Sequence, residues 1–480
     1  MVTEWAKESI ELKKISKIQR QLIKESQHWA LRQDFDVEKS RELRQQAILM
    51  NHAYYLKNIP IYQKLAREEC VGEQTDIRII KRKMMFADEI FKSYGQNWLD
   101  DCDFMNMNRW LSNIYHKQII MDVRQIKSVD DWLAHLSTIG INISFSSGTS
   151  GSFSFVPRDD ANWDLVKTAN ICCLSSLFAF QNIGKQLEHL QIKKAVKYLP
   201  PEMFTRFLDG IGIPEFDAFF LGFRYGRMGN QALIQELAPV FKNRHFLYEM
   251  GLTTNLMLYF WRGAQSKEAE RLIEKHQEQV LKQRDNNYQR IVEKIGTSTN
   301  NGQKVFIFGA PYQFKELCEF MSDRNQKIVL NKGSLVLFGG GWKLFTRELM
   351  KRDDLVLALS ENFSLPPENI IEGYSMTEIS VLMLRCQYGH FHIPPTLEPV
   401  VFDEELKPME GKDLNGTFGF LDPLALTYPG FIITGDHVHL VDGECYCGLS
   451  GTSITEIRRT STQEIKGCGG VMSAIHSSEL

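Results

Sequence analysis

Between Val305 and Gly373 the chain alternates between short apolar runs that stop at glycine and stretches with helical character. Val305-Phe306-Ile307-Phe308 ends at Gly309 and is followed by a helix-like segment from Phe314 to Met321. Leu335 to Phe338 ends at Gly339-Gly340-Gly341, again with a helical stretch behind it, and Ile370-Ile371 runs into Gly373. Runs this apolar and this short read as buried strands. Strands alternating with helices, with glycine turns at the strand ends, predict an α/β core of mixed sheets sandwiched by helices.

The flanks differ in character. Ile10, Leu12, Ile15, Ile18 and Leu22 recur at helical spacing, and Pro60 interrupts a helical stretch that runs from about Met1 to Glu69. Lys267 to Lys294 reads as a long charged helix, and the apolar run Ile171 to Phe180 as a buried one. After it all comes a β-rich part, in which Asp442-Gly443 predicts a two-residue hairpin between His437–Val441 and Glu444–Cys447. The expected organisation is a helical extension over 1–70, a large domain over 71–435 and a short or truncated C-terminal lobe over 436–480. With 43% hydrophobic and 24% charged residues the composition is that of a globular protein, and a net charge of −3 gives no footprint for nucleic acid or a membrane surface. No run is apolar enough to span a bilayer, and the N-terminus, with Glu4, Lys7 and Glu8, lacks a signal-peptide core. Nine cysteines without a repeating spacing predict reduced thiols and a cytoplasmic location.

Three motifs carry chemistry. Ser146-Ser147-Gly148-Thr149-Ser150-Gly151 packs hydroxyls and glycines densely enough for N–H and O–H groups to converge on one anion; a plain surface loop is the alternative. In Glu372-Gly373-Tyr374-Ser375-Met376-Thr377-Glu378, a tyrosine beside a tight turn can stack on a base, a hydroxyl can meet a phosphate and a carboxylate can hold Mg²⁺. Its alternative is a helix start, because Ser375 and Glu378 have capping-box spacing. Thr434-Gly435-Asp436 follows an apolar run, and a carboxylate at a strand end can accept ribose hydroxyls.

In this order and at these separations the motifs resemble the adenylate-forming superfamily of acyl-CoA synthetases and adenylation domains. With Gly339-Gly340-Gly341-Trp342-Lys343, His392-Ile393-Pro394-Pro395 and Glu464-Ile465-Lys466-Gly467-Cys468-Gly469, the chain is similar to LuxE-type acyl-protein synthetases and phenylacetate-ligase-like enzymes from about His52 to Gly469. The resemblance implies the adenylate-forming fold, ATP and Mg²⁺ as cofactors, and activation of a fatty or aryl acid to acyl-AMP followed by transfer to a thiol. It implies that Ser146, Ser147, Gly148, Thr149, Ser150 and Gly151 hold the ATP phosphates. Gly339, Gly340 and Gly341 would pass the adenine, with Tyr374 stacking on its other side. Thr377 would meet the α-phosphate, Glu378 the magnesium and Asp436 the ribose. Cys468 matches the cysteine that accepts the acyl group as a thioester; its glycine neighbours leave it uncrowded, and Lys466 favours the thiolate. The acceptor could equally be a partner protein or coenzyme A.

The sequence departs from the superfamily in three places. Ser375 stands where a glycine usually follows the aromatic residue, and Ser152-Phe153-Ser154 replaces a lysine after the phosphate loop. Only the 45 residues after Gly435 of this 480-residue chain remain for a lid that is longer in relatives, and Lys466 is its one lysine. Two rival functions follow: an amide-forming adenylating enzyme, or a degenerate homologue that binds nucleotide without turnover. Zinc at His437, His439, Cys445 and Cys447 is set aside, because a turn at Asp442-Gly443 points the histidines and cysteines to opposite faces. For His390 and His392 a structural role is expected rather than a catalytic one. Phe216, Phe219, Phe220, Phe223 and Tyr225 read as core rather than an acyl pocket, and Arg224 and Arg227 as surface charges.

Overall fold

A computed structural model describes residues 2–32, 34–95, 97–146, 153–180, 216–227, 231, 233–235, 238–263, 266–340 and 350–459. The apolar runs ended by glycine are strands. In chain order the sheet-forming middle of the protein contains β4 (Phe216–Tyr225), β5 (Asn243–Gly251), β6 (Lys304–Gly309), β7 (Leu335–Gly339) and β8 (Ile370–Tyr374). They lie side by side in the order β5-β4-β6-β7-β8, all parallel. Both faces of these strands are covered, which is why they read as unbroken apolar runs rather than alternating ones. Val305 and Ile307 enter one hydrophobic cluster while Phe306 and Phe308 enter another, and Val336 and Phe338 are divided from Leu335 and Leu337 in the same way.

Helices supply the covers. The first cluster takes Tyr288, Ile291 and Ile295 from the long helix Lys267–Asn300, Phe314 and Leu317 from Pro311–Asp323, and Leu355 and Leu359 from Arg352–Phe363. Ile171, Leu174 and Leu177 of the helix Asp160–Phe180 enter the second. Phe216, Phe219, Phe220 and Phe223 are core, as expected, and Tyr225 is exposed. Arg224 forms a surface ion pair with Glu249 at 2.9 Å, whereas Arg227 is half-buried and donates to the Ser137 hydroxyl at 3.0 Å.

Beyond β8 the same sheet turns antiparallel, through β9 (Met383–Arg385), β10 (Phe391–His392), β14 (Ser450–Arg459), β13 (Phe431–Glu444), β12 (Asp413–Leu421) and β11 (Glu398–Phe402). The 435/436 boundary falls inside β13, which continues unbroken to Glu444. Asp442-Gly443 is not the hairpin turn: both residues pair with β14, at Thr452 and Gly451, and the chain reverses at Cys445–Leu449 instead. Pairing of β13 along its length with β12 and β14 outweighs the local turn signal. A separate hairpin, β2 (Ile141–Ser146) and β3 (Ser154–Asp159), frames the Ser/Gly hexamer.

The N-terminal helices α1 (Val2–Ala30) and α2 (Val37–Asn58) are fastened to this distant sheet. Gln19 donates its amide to the Pro423 carbonyl at 2.9 Å, and Asn51 donates to Pro423 at 3.0 Å and Ala425 at 3.1 Å. Glu398 on β11 is held by Arg44 and by Lys81, each at 2.6 Å. No helix among the described residues is long and apolar enough to cross a membrane.

Candidate active site

The parallel strands β6, β7 and β8 end on one edge, at Gly309, Gly339 and Tyr374, and that carboxyl edge is where open α/β sheets hold ligands. Gly339 pairs with Gly373. A Cβ on Gly339 would stand 2.8 Å from the Gly373 carbonyl oxygen, so no side chain fits where these strand ends converge. Gly340 adopts φ +91°, open to glycine and strained for other residues.

Tyr374 closes β8 with its ring against Phe391 and Phe418, centroids 6.2 and 6.4 Å away. Its hydroxyl donates to Asp436 Oδ2 at 2.6 Å. Three strands separate β8 from β13 in the sheet. Flat, they would stand about 19 Å apart at four spacings of ~4.8 Å. The antiparallel half therefore curls back until the second and third motifs touch. Asp436 is buried, and its N–H donates to the Thr434 hydroxyl at 3.1 Å.

Strand β3, which follows the first motif in the chain, meets the second. Ser146 pairs with Ser154 at the end of the β2–β3 ladder; Ser147, Gly148, Thr149, Ser150 and Gly151 lie outside the described residues. Ser154 is fully buried, and its hydroxyl donates to Glu378 Oε1. Ser154, three residues past Gly151, thus touches the carboxylate of the second motif. Glu378 is only 4% exposed. Burial pushes its carboxyl above the usual range and the charge of Asp88 adds to this, against the opposing pull of Lys92 and Ser154. Lys92 itself binds Asp88 at 2.8 Å; burial works against its charge, yet Asp88 and Glu378 outweigh that and raise it.

No helix starts at Ser375, which removes the capping-box alternative: its hydroxyl donates to the Val381 carbonyl at 3.0 Å, and residues 375–380 form an irregular turn. A buried network holds that turn. Arg158 on β3 donates to the Thr377 carbonyl at 2.8 Å, to the Tyr428 hydroxyl at 3.0 Å and to Ser144 Oγ at 2.9 Å. Tyr428 donates in turn to the Glu378 carbonyl at 3.2 Å, and Asp422 accepts the Ser380 N–H at 2.9 Å. Arg158, Tyr428, Asp422, Ser154, Asp88 and Lys92 were not singled out in the sequence; Ser154 alone carried a signal, as a neighbour of the hexamer.

Gly341 and Cys468, like Lys466, fall outside the described residues. His439 binds Asp413 at 2.7 Å and does not approach the cysteines. His390 meets Ser453 Oγ at 2.9 Å.

A mixed α/β protein with its candidate site at the carboxyl edge of a parallel sheet is thus the class that fold and geometry define. Residues 279–476 match the family model described as "Acyl-protein synthetase, LuxE", so that segment is similar to acyl-protein synthetases. It is 28% identical over 177 residues to a long-chain-fatty-acid–luciferin-component ligase of Vibrio harveyi, covering 36% of this chain and 46% of that one. To the ligase of the same name from Aliivibrio fischeri it is 24% identical over 183 residues, 38% of this chain and 48% of the other. The chain thus spans about half the length of the curated relatives it matches. Among solved structures, 2-hydroxyisobutyryl-CoA ligase with 2-HIB-AMP and CoA aligns with 90% of this chain and 70% of its own, at 13% identity and a TM-score of 0.48.

Proposed function

We propose that the protein activates a carboxylic acid, fatty or aryl, with ATP to an acyl-adenylate and passes the acyl group to a thiol. The observation that carries this reading is the meeting of the second and third motifs through Tyr374 and Asp436, with Ser154, three residues past the first motif, bonded to Glu378. The similarity to acyl-protein synthetases and fatty-acid ligases supports the same chemistry.

In this reading the hexamer Ser146 to Gly151 cradles the phosphates, and Gly339 to Gly341 with Tyr374 flank the adenine. Asp436, which accepts from the Tyr374 hydroxyl, would take the ribose hydroxyls. Thr377 faces the α-phosphate, its backbone fixed by Arg158. The buried carboxylate of Glu378 offers the hard oxygen chemistry that Mg²⁺ takes, and its raised proton affinity means that a cation there would be favoured by charge. Bound magnesium would supply charge neutralisation for the departing pyrophosphate. The substrate carboxylate attacks the α-phosphorus, the bond to the β-phosphate oxygen breaks, and pyrophosphate leaves with its electrons. Positioning and charge stabilisation do most of this work. A thiolate, from Cys468, a partner protein or coenzyme A, then displaces AMP. The 436–480 segment would serve as the acyl-carrying lobe, chemically distinct from 71–435 although β13 is continuous across the boundary.

Exchange of labelled pyrophosphate into ATP across a panel of fatty and aryl acids tests the first half-reaction. Acid-dependent exchange that disappears in Glu378→Gln is expected. Exchange that no acid elicits would leave only a nucleotide-binding protein. Retention of full product formation in Cys468→Ser, with amines as acceptors, would turn the second half-reaction into amide synthesis.

A further inference from the structure

The reversal that replaced Asp442-Gly443 brings Cys445 and Cys447 to a place where two other residues already stand. Cys386, just past β9, and His392, on β10, meet them there, and the four potential ligand atoms all lie within 4.8 Å of one another. Two of these residues are buried and two half-buried. The chain segments that supply them are 53 or more positions apart, so the grouping is a product of the fold.

The two turns that carry the cysteines have the same backbone. In Cys386-Gln387-Tyr388-Gly389-His390, the first N–H donates to the fifth carbonyl at 2.9 Å and the Gly389 N–H to the first at 2.9 Å. In Cys445-Tyr446-Cys447-Gly448-Leu449 the corresponding bonds are 3.0 and 2.8 Å. The glycines match as well, at φ +86° and +87°. Each turn leaves its first cysteine projecting toward the other turn, and the Tyr388 and Tyr446 rings lie 5.7 Å apart.

The separations fit one ion. Tetrahedral ligands with zinc–sulfur bonds of ~2.3 Å put neighbouring sulfurs about 3.8 Å apart, and a sulfur about 3.5 Å from a histidine nitrogen. Cys386 Sγ and Cys445 Sγ are 3.8 Å apart, and Cys447 Sγ is 3.2 Å from His392 Nε2. A disulfide needs about 2.05 Å. We propose that Cys386, His392, Cys445 and Cys447 form a Cys₃His site for a structural zinc ion.

Three thiolates and one neutral imidazole around Zn²⁺ carry one net negative charge, and binding releases the three thiol protons to solvent. Arg32, at the end of α1, lies against the second turn and donates Nε–H to the Cys447 carbonyl at 2.9 Å. Trp29 donates to the Ser450 carbonyl at 3.0 Å and packs with Leu449 and Cys447. With four protein ligands the coordination is closed, which assigns the ion to structure rather than to chemistry on a substrate. It would rivet the β9–β10 turn to the β13–β14 turn, with α1 resting on the rivet.

The full chain, produced in zinc-supplemented medium and purified under reducing conditions, is assayed for metal by mass spectrometry. About one zinc per chain is expected, falling to near zero in Cys386→Ser and Cys445→Ser and unchanged in Cys102→Ser, whose thiol is exposed and apart from the cluster. Cobalt replacement gives a readout that needs no variant: thiolate-to-cobalt charge-transfer absorption and the intense bands of a tetrahedral ion. Protein that carries no zinc, a cobalt form without thiolate absorption, zinc kept at full stoichiometry in the serine variants, or a Cys386–Cys445 disulfide in the reduced preparation would each overturn the proposal.

Discussion

Replacing Arg158 with lysine asks whether the guanidinium fork, rather than a positive charge alone, holds the turn that presents Thr377 and Glu378. Arg158 is 2% exposed and spreads three hydrogen bonds, at 2.8, 2.9 and 3.0 Å, over Thr377, Ser144 and Tyr428. Its guanidinium also lies 5.1 Å from the Tyr428 ring centre. A compact ammonium cannot reach along the same fork. Losing one charge-assisted bond costs roughly 1.5–3 kcal/mol, and leaving a buried carbonyl without its donor costs about 1–3 more. Arg158→Lys should therefore lower stability by about 3–5 kcal/mol, within the ~5–15 that a folded chain holds. Urea unfolding followed by tryptophan fluorescence reads that loss. Pyrophosphate exchange should fall at least about tenfold, the equivalent of ~1.4 kcal/mol in the barrier, because the Thr377 carbonyl is released. Tyr428→Phe removes the acceptor from Arg158 and the donor to Glu378. Since both residues share one network, the double variant should be milder than the sum of the two by about 1 kcal/mol or more. Arg158→Lys unfolding within ~0.5 kcal/mol of the parent, or strict additivity with Tyr428→Phe, would refute the network.

Glu398→Gln tests the clamp between β11 and the N-terminal helices. Burial pushes this carboxyl up, but Arg44 and Lys81 outweigh it and bring the value from 4.5 down to about 2. Because the folded value lies below the unfolded one, the stabilisation is complete above pH ~4.5 and fades as pH falls toward ~2; the shift amounts to about 3 kcal/mol. The urea-unfolding gap between parent and Glu398→Gln should narrow from pH 7 to pH 3, and a constant gap would contradict the clamp. Gly339→Ala drives a Cβ to within 2.8 Å of the Gly373 carbonyl and should cost about 1–3 kcal/mol in a thermal melt. Gly296→Ala, in a helix with nothing within 4 Å of the new carbon, should instead stabilise by about 0.5–1 kcal/mol.

Of the parallel strands, β6, β7 and β8 were legible because a strand covered on both faces must be apolar throughout: Val305 to Phe308 has no polar position to confuse the reading, whereas β4 and β5, with Asp217 and Asn243, Arg244 and His245 in their runs, were not read as strands. The Ser/Gly hexamer stood out through its composition alone. The turn at Cys445–Leu449 was hidden because Asp442-Gly443 is a local signal, while register was decided by residues as remote as Asp413 and Arg459. That error also separated His392 from the cysteines beside it. Arg158, Lys92 and Asp422 left no trace at all. Each is one polar residue whose partners lie elsewhere in the chain, and burial, which makes them matter, is not written in any local spacing.

The bond from Gln19 to Pro423 joins residues 404 positions apart. At ~5–20 residues per second on the ribosome, α1 and α2 would be made roughly 20–80 s before the segment that completes their burial exists. Through that interval their inward faces must be sheltered by one another or by a chaperone, and their burial waits on the segment around Pro423 being synthesised.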